Sequence, residues 1–166
     1  MKQGTKSIAQ EESYFFGEFE HSLDSQRRVA IPSNWRKEKK TKFILVQGRH
    51  NAIYLLPPYI FNDFIAKVRK VSFADAASAL ALVRIGSVSQ ECECDSQGRI
   101  SIPQKLIEQS GLKDQVVLVG SVTMIQIWSK DNWNMFKKSD PNDMLDVVQK
   151  ISERPDDLTS IIKGLK

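Results

Sequence analysis

Nine residues, Asp24-Ser25-Gln26-Arg27-Arg28-Val29-Ala30-Ile31-Pro32, return 71 residues later as Asp95-Ser96-Gln97-Gly98-Arg99-Ile100-Ser101-Ile102-Pro103. Six of the nine positions are identical, and Val29 with Ile100 and Ala30 with Ser101 exchange similar residues. A repeated unit constrains architecture before any local assignment is made. Each copy reads as a strand ending near the Asp, a tight polar turn, and a second strand stopped by Pro, which has no N–H to give to a ladder.

The copying continues beyond the turn. Glu20 lies 71 residues before Glu91, and past the Pro the offset is read as 72, a one-residue change assigned to the short helix that follows. Ile44-Leu45-Val46 then falls on Val116-Val117-Leu118, Ile53 on Ile125, Leu55 on Ile127, Phe61 on Trp133 and Phe64 on Phe136. The unit is therefore strand, turn, strand, short helix, strand, strand, longer helix, used twice. One copy alone is a small sheet with too little core, and pairing two copies completes it.

In chain order, residues 1–13 read as a polar arm, 14–72 as the first repeat, 73–86 as an Ala-rich bridging helix, 87–138 as the second repeat and 139–166 as an extension without a repeat partner. Tyr14 to Leu23 and Arg28 to Ile31 are the first two strands. Ser33 or Asn34 caps a short helix through Trp35, Arg36 and Glu38 towards Lys40, whose cations suit a helix C-terminus. Phe43 to Gln47 and Ala52 to Leu56 are strands joined at Gly48-Arg49-His50-Asn51. A helix from Tyr59 to about Lys70 aligns Ile60, Phe61, Phe64, Ile65 and Val68 on one face, expected to be core. The bridging helix is expected to pack closely. In the second copy, a short helix with Leu106 and Ile107 ends at Gly111, strands follow at Gln115 to Val119 and Met124 to Trp128, and a helix from about Asp131 turns Trp133 and Phe136 inward. Asp140-Pro141-Asn142 opens a last helix with Met144, Leu145, Val148 and Ile151 as its stripe, broken at Arg154-Pro155-Asp156-Asp157.

Charge is uneven. Residues 1–71 hold 13 Lys and Arg against 7 Asp and Glu, and residues 72–166 hold 11 against 13. A basic half fits an anionic partner, although it also fits a solvated surface. No apolar run is long enough to span a bilayer and residues 1–13 lack an apolar signal core, so a cytoplasmic location and no membrane partner are expected. Cys92 and Cys94, two apart on a strand, share a face and are poorly placed to bond to each other. Neither they nor His21 and His50 show metal-ligand spacing, so no metal and no cofactor are expected.

These features together resemble the MraZ family of bacterial transcriptional regulators of the division and cell-wall gene cluster, within the wider AbrB-like group. The family motif Asp-x-x-x-Arg occurs here as Asp24 to Arg28 and Asp95 to Arg99, in register inside matching repeats. Gly17 to Leu23 resembles the family's opening and Gly120 to Trp128 its closing hairpin. The resemblance covers about residues 16–136. It implies an α+β fold of two tandem swapped-hairpin repeats forming a pseudo-dimeric β-barrel with peripheral helices, assembled into homo-oligomeric rings that bind short direct repeats in double-stranded promoter DNA, and so a nucleoid association. By the same carry-over Arg28 and Arg99 contact DNA. Ser25, Gln26, Arg27, Ser96, Gln97 and Arg36 complete the expected DNA-facing set, with Asp24, Asp95 and Gly98 as structural turn residues. The first turn departs from the family pattern, with Gln26 where Lys is common and Arg27 where the family, like Gly98, has Gly. If that position requires a positive φ, Arg27 is strained.

The residues themselves admit the same roles. Asp accepts turn N–H groups or the Arg four positions on, and an Arg at a strand start is poised for phosphate or guanine. A purely structural Asp–Arg pair is the alternative; both hold in part, with Asp structural and Arg functional. An enzyme is not expected, since no nucleophile–base set, phosphate loop or metal spacing stands out, and a small-molecule substrate is not expected either. A ring-forming scaffold without DNA readout is the remaining alternative.

Overall fold

The strands on either side of each repeated turn leave for different sheets, and this exchange sets the architecture. A computed structural model describes residues 12–70, 75–139 and 144–153. The described elements are β1 (Glu18–Ser22), β2 (Arg28–Ala30), β3 (Lys42–Gln47), β4 (Ile53–Leu56), α1 (Pro58–Val68), α2 (Ala76–Val88), β5 (Gln90–Glu93), β6 (Arg99–Ser101), α3 (Gln104–Ser110), β7 (Gln115–Gly120), β8 (Ile125–Ser129), α4 (Lys130–Ser139) and α5 (Met144–Ser152). The fold is α+β. One antiparallel sheet has the order β1-β7-β8-β4-β3-β5, and β2 with β6 makes a separate two-stranded ribbon.

The copies are interleaved. β1 of the first copy pairs with β7 of the second, and β5 of the second pairs with β3 of the first. Repeat equivalents face each other where the halves meet: Tyr54 opposes Gln126 in β4–β8, and Val29 opposes Ile100 in β2–β6. Both ribbon residues are fully buried and belong to one cluster with Phe43, Leu45, Ile53, Leu55, Leu118, Ile125 and Ile127. The ribbon and the sheet therefore share a single core drawn from both copies, which is why neither copy could bury its apolar faces alone.

The ladders correct the repeat alignment in its third strand. Glu20 opposes Val117, and its equivalent Glu91 opposes Ile44, so Ile44 and Val117 hold equivalent places 73 residues apart. The expected pairing of Ile44 with Val116 is thus one residue out, and the matched core positions are Phe43 with Val116 and Leu45 with Leu118. The cause lies just upstream. After Pro32 only a 3-10 turn forms, Ser33–Trp35, whereas after Pro103 two more residues allow the full helix α3, closed by Gly111 at φ 61°. One residue is returned in the hairpins, five residues (48–52) joining β3 to β4 and four (121–124) joining β7 to β8. A one-residue slip exchanges the faces of a strand, but Ile44-Leu45-Val46 and Val116-Val117-Leu118 are apolar at every position, so the sequence carries no face signal there.

The short helix expected through Arg36 and Glu38 is a second correction. Trp35 is buried, with its ring edge-on to Phe15 at 6.1 Å and to Phe19 at 5.0 Å, and its Nε1 donates to the Phe16 carbonyl at 3.2 Å. Arg36 leaves this anchor in extended geometry (φ −113°, ψ 117°), ending the turn. The expected inward face of α1 is only partly covered, since no residue of that helix is buried and Phe64 is exposed. The expected close packing of the Ala-rich helix is also not found: α2, capped by the Asp75 carboxylate accepting from Ala77 N–H, has no buried residue and exposes Leu80 and Val83. Ala side chains supply helix propensity without enough apolar area to hold a helix down.

The chain divides into two units, one ending at Trp133 and the other beginning at Asn134. In the first, the Trp133 ring lies 5.3 Å from that of Trp128, and Trp133 is half-buried. In the second, Phe136 is half-buried and α5 forms as expected, with Met144, Leu145, Val148 and Ile151 all exposed. The helix start expected at Asp140-Pro141-Asn142 and the break at residues 154–157 lie outside the described residues. Among the described residues no helix is long and apolar enough to cross a membrane.

The corrected register makes Leu45 and Leu118 equivalent, fully buried positions. Leu45→Ala and Leu118→Ala should each cost about 2–5 kcal/mol in urea unfolding.

Candidate nucleic-acid interface

Each repeated turn is organised by one carboxylate. Asp24 Oδ1 accepts the backbone N–H groups of Gln26 and Arg28, both at 2.9 Å, and Oδ2 accepts Arg28 Nε at 2.8 Å. The backbone closes beneath it, with Asp24 N–H donating to the Arg28 carbonyl and Arg27 N–H to the Asp24 carbonyl, both at 2.9 Å. The second turn repeats the pattern: Asp95 Oδ1 accepts from Gln97 and Arg99 N–H at 2.9 Å, and Oδ2 accepts Arg99 Nε at 2.9 Å with Nη2 also at 2.9 Å. These bonds explain the four-residue spacing, because the same carboxylate must reach the backbone N–H and the guanidinium of one residue.

Both carboxyls are held below the usual carboxylate range, first by the backbone N–H of Arg28 or Arg99, with the guanidinium and a second backbone N–H assisting against partial desolvation. A depressed folded-state pKa means that the turns stabilise the fold while ionised, and that this contribution is lost as pH falls through the carboxylate range.

The residue before each Arg is left-handed in both turns, Arg27 at φ 61° and Gly98 at φ 76°. Gly tolerates this geometry and Arg does not, at a cost of roughly 1–2 kcal/mol for a residue with a Cβ. Gly98 has a second reason. The Arg36 guanidinium lies against its α-carbon, where a Cβ would collide with Arg36 Cζ, and Arg36 Nε donates to the Ile31 carbonyl at 2.9 Å. Arg36 of the first copy thus covers the turn of the second.

The exchange of strands brings the two turns together. Ile31 N–H donates to the Gly98 carbonyl at 2.9 Å and Ile102 N–H to the Arg27 carbonyl at 2.8 Å, while Arg99 Nη1 stands 3.9 Å from Asp24 Oδ2. Arg28 and Arg99 are partly exposed, with side-chain accessibilities of 29% and 26%, and Ser25, Gln26, Arg27, Ser96 and Gln97 are exposed around them. All of the turn residues singled out in the sequence therefore lie in two adjoining turns, with Arg36 half-buried between the copies.

The sequence reading missed a neighbour of the second turn. Cys94 N–H donates to the Thr41 carbonyl at 2.9 Å, so the segment from Arg36 to Thr41, with exposed Lys37, Lys39 and Lys40, borders that turn. At the first turn the corresponding bond runs from Leu23 N–H to the Asp114 carbonyl at 2.8 Å. The signal was the cationic run itself, assigned above to a helix terminus that does not form.

Elsewhere, a cleft of about 280 Å³ lined by Lys113, Asp114, Gln115, Ser129, Lys130 and Asp131 contains none of the expected site residues. Cys92 and Cys94 are free thiols, and burial pushes them up to about 12 and about 11. Among the described residues no group of three His, Cys, Asp or Glu side chains could hold a metal ion.

Two outcomes follow from the turn geometry. The melting temperature should fall as pH drops through the carboxylate range, and Asp24→Asn with Asp95→Asn should lower it at neutral pH and flatten the acid dependence, as read by circular dichroism melts. Arg27→Gly should raise stability by about 1 kcal/mol through relief of the left-handed strain, whereas Gly98→Ala should lower it, since it adds both strain and a collision with Arg36.

The family model described as "MraZ protein, putative antitoxin-like" matches the chain twice, over residues 14–84 and 87–149. The protein called transcriptional regulator MraZ from Clostridium acetobutylicum is 35% identical over 140 residues, 84% of this chain and 97% of that protein. Its namesake from Acetivibrio thermocellus is 34% identical over 139 residues, covering 83% and 96%, and that from Alkaliphilus metalliredigens 37% over 123 residues, covering 74% and 85%. With one model match on each copy of the turn and relatives aligned over nearly their whole length, the chain belongs to the MraZ family.

Proposed function

We propose that this chain is a sequence-specific DNA-binding transcriptional regulator of the division and cell-wall gene cluster, reading short direct repeats in promoter DNA through its two Asp-x-x-x-Arg turns. The relatives' names support the regulatory role. The observation that carries the DNA reading is the pairing of the turns: two carboxylate-anchored guanidiniums, that of Arg99 also 3.9 Å from the Asp24 carboxylate of the other copy, rimmed by exposed Ser25, Gln26, Arg27, Ser96 and Gln97. Asp24 and Asp95 fix the Nε edges of Arg28 and Arg99, so the remaining guanidinium edges are oriented before DNA arrives and little ordering is left to be done on binding. Guanidinium and amide groups in such turns suit guanine, adenine and phosphate edges.

The interleaved sheet and ribbon around one core are read as a pseudo-dimeric swapped-hairpin barrel. Copies of the chain are proposed to form a homo-oligomeric ring, since α1, α2 and α5 leave Phe64, Leu80, Val83, Met144, Leu145 and Ile151 exposed. A ring multiplies weak contacts over direct repeats by avidity. The protein is placed in the cytoplasm, at the nucleoid, as a binding protein and not an enzyme.

The test is titration of the purified protein on its own upstream DNA and on scrambled DNA at two salt concentrations, beside Arg28→Ala and Arg99→Ala. Each variant should lose about 1–3 kcal/mol per base contact, multiplied around a ring, while its thermal transition survives. Parental affinity in both variants, or equal binding of scrambled DNA by the parent, would sink the readout role. A ring-sized particle that binds neither DNA would favour the scaffold reading.

A further inference from the structure

We propose that Lys37, Lys39 and Lys40 form a phosphate-binding surface for the DNA backbone beside the second copy's turn, so that the two halves of the interface are unequal. The inference rests on the DNA-binding reading above and adds to it where the non-specific part of the affinity comes from.

The turns themselves contribute little net charge, because Asp24 offsets Arg28 and Asp95 offsets Arg99 at 2.8 and 2.9 Å. Attraction to a polyanion must come from cations outside these pairs. At the first turn Arg27 is such a cation, within the turn itself; at the second its place is taken by Gly98. The second turn receives its extra cations from the other copy. Arg36 lies on Gly98, and the chain then runs through Lys37 to Lys40 and returns at Thr41, whose carbonyl holds Cys94 N–H next to Asp95. Residues 33–41 contain four Lys and Arg against Glu38 alone, whereas residues 104–114, their counterpart beside the first turn, contain Lys105 and Lys113 against Glu108 and Asp114.

The segment is shaped, with both ends pinned. Thr41 Oγ1 donates to the Glu38 carbonyl at 2.8 Å and accepts Glu38 N–H at 3.2 Å, and Arg36 Nε is held by the Ile31 carbonyl. Its lysines are poised for exchange with phosphate. Lys37, exposed but engaged, donates its Nζ to the Glu12 carbonyl at 3.3 Å, and Lys40, its side chain 81% exposed, reaches Glu93 only at 4.0 Å. Lys42 does not belong to the surface, since Glu91 at 3.4 Å and Glu93 at 3.9 Å both neutralise it across the β3–β5 ladder. Flexible ammonium groups serve phosphates as point charges and carry no base readout.

The test compares the full-length parent, the triple variant Lys37→Gln/Lys39→Gln/Lys40→Gln and the mirror double variant Lys105→Gln/Lys113→Gln, each checked by thermal melting. The dissociation constant is measured on upstream and scrambled duplexes across a salt series. The triple variant should lower the slope of log affinity against log salt by about three, one per phosphate contact, weaken both duplexes by the same factor and leave their ratio unchanged. The double variant should leave the slope unchanged. If the triple variant melts early, Lys39→Gln alone should lower the slope by about one. A parental slope in the triple variant, or an equal loss in the mirror variant, overturns the inference while leaving the regulator reading intact if the parent prefers its upstream DNA. A parent that binds both duplexes alike overturns the readout but leaves the phosphate surface to be judged by its slope, and a parent that binds neither overturns both.

Discussion

The carboxylate of Asp24, and of Asp95 in the second copy, is the contact on which the remaining architecture depends. It holds a backbone reversal closed at the point where the chain leaves the six-stranded sheet for the ribbon. β1 can reach β7, and β2 can reach β6, only because the turn between β1 and β2 satisfies its own N–H groups and does not require those strands to pair with each other. A local hydrogen-bonding solution thereby permits a non-local one, in which each copy completes the other's sheet and both fill one core.

The same carboxylates connect stability with recognition. Ionised, they fix the turn and orient a guanidinium that stays partly exposed, so the group proposed to meet DNA is also part of the fold's framework. Roles are divided within each turn: the Asp closes the backbone, the Arg both braces the turn and stays partly exposed, and the intervening Ser and Gln side chains are free to vary in contact without disturbing the closure. The strained Arg27 fits this division, since a left-handed Arg adds a cation at the cost of backbone strain that Gly98 avoids.

Interleaving also breaks the symmetry that the repeat would otherwise impose. Segments that follow Pro32 and Pro103 each border the turn of the opposite copy, so a difference between the segments becomes a difference between the turns. One segment is a brief 3-10 turn and a cationic loop, and the other is a helix of near-balanced charge. Trp35 and Arg36 maintain that difference, the first by burial against Phe15 and Phe19 and the second by occupying the space left by Gly98.

The sequence by itself determined the repeat, the two carboxylate-centred turns, the α+β class and the residues gathered at the candidate interface, because each rests on short-range chemistry: an Asp four residues before an Arg, a Pro that stops a strand, a Gly that ends α3. It did not determine which strands pair, the 73-residue offset of the third strands, the cover of α1 and α2, or the placement of Lys37 to Lys40 beside the opposite turn. Those depend on contacts between residues far apart in the chain. Along Ile44-Leu45-Val46 and Val116-Val117-Leu118 every position is apolar, so only the ladders with Glu91 and Glu20 could choose the register. After Pro32, only the burial of Trp35 in a core built from both copies decided that the chain extends and carries its lysines to the second turn.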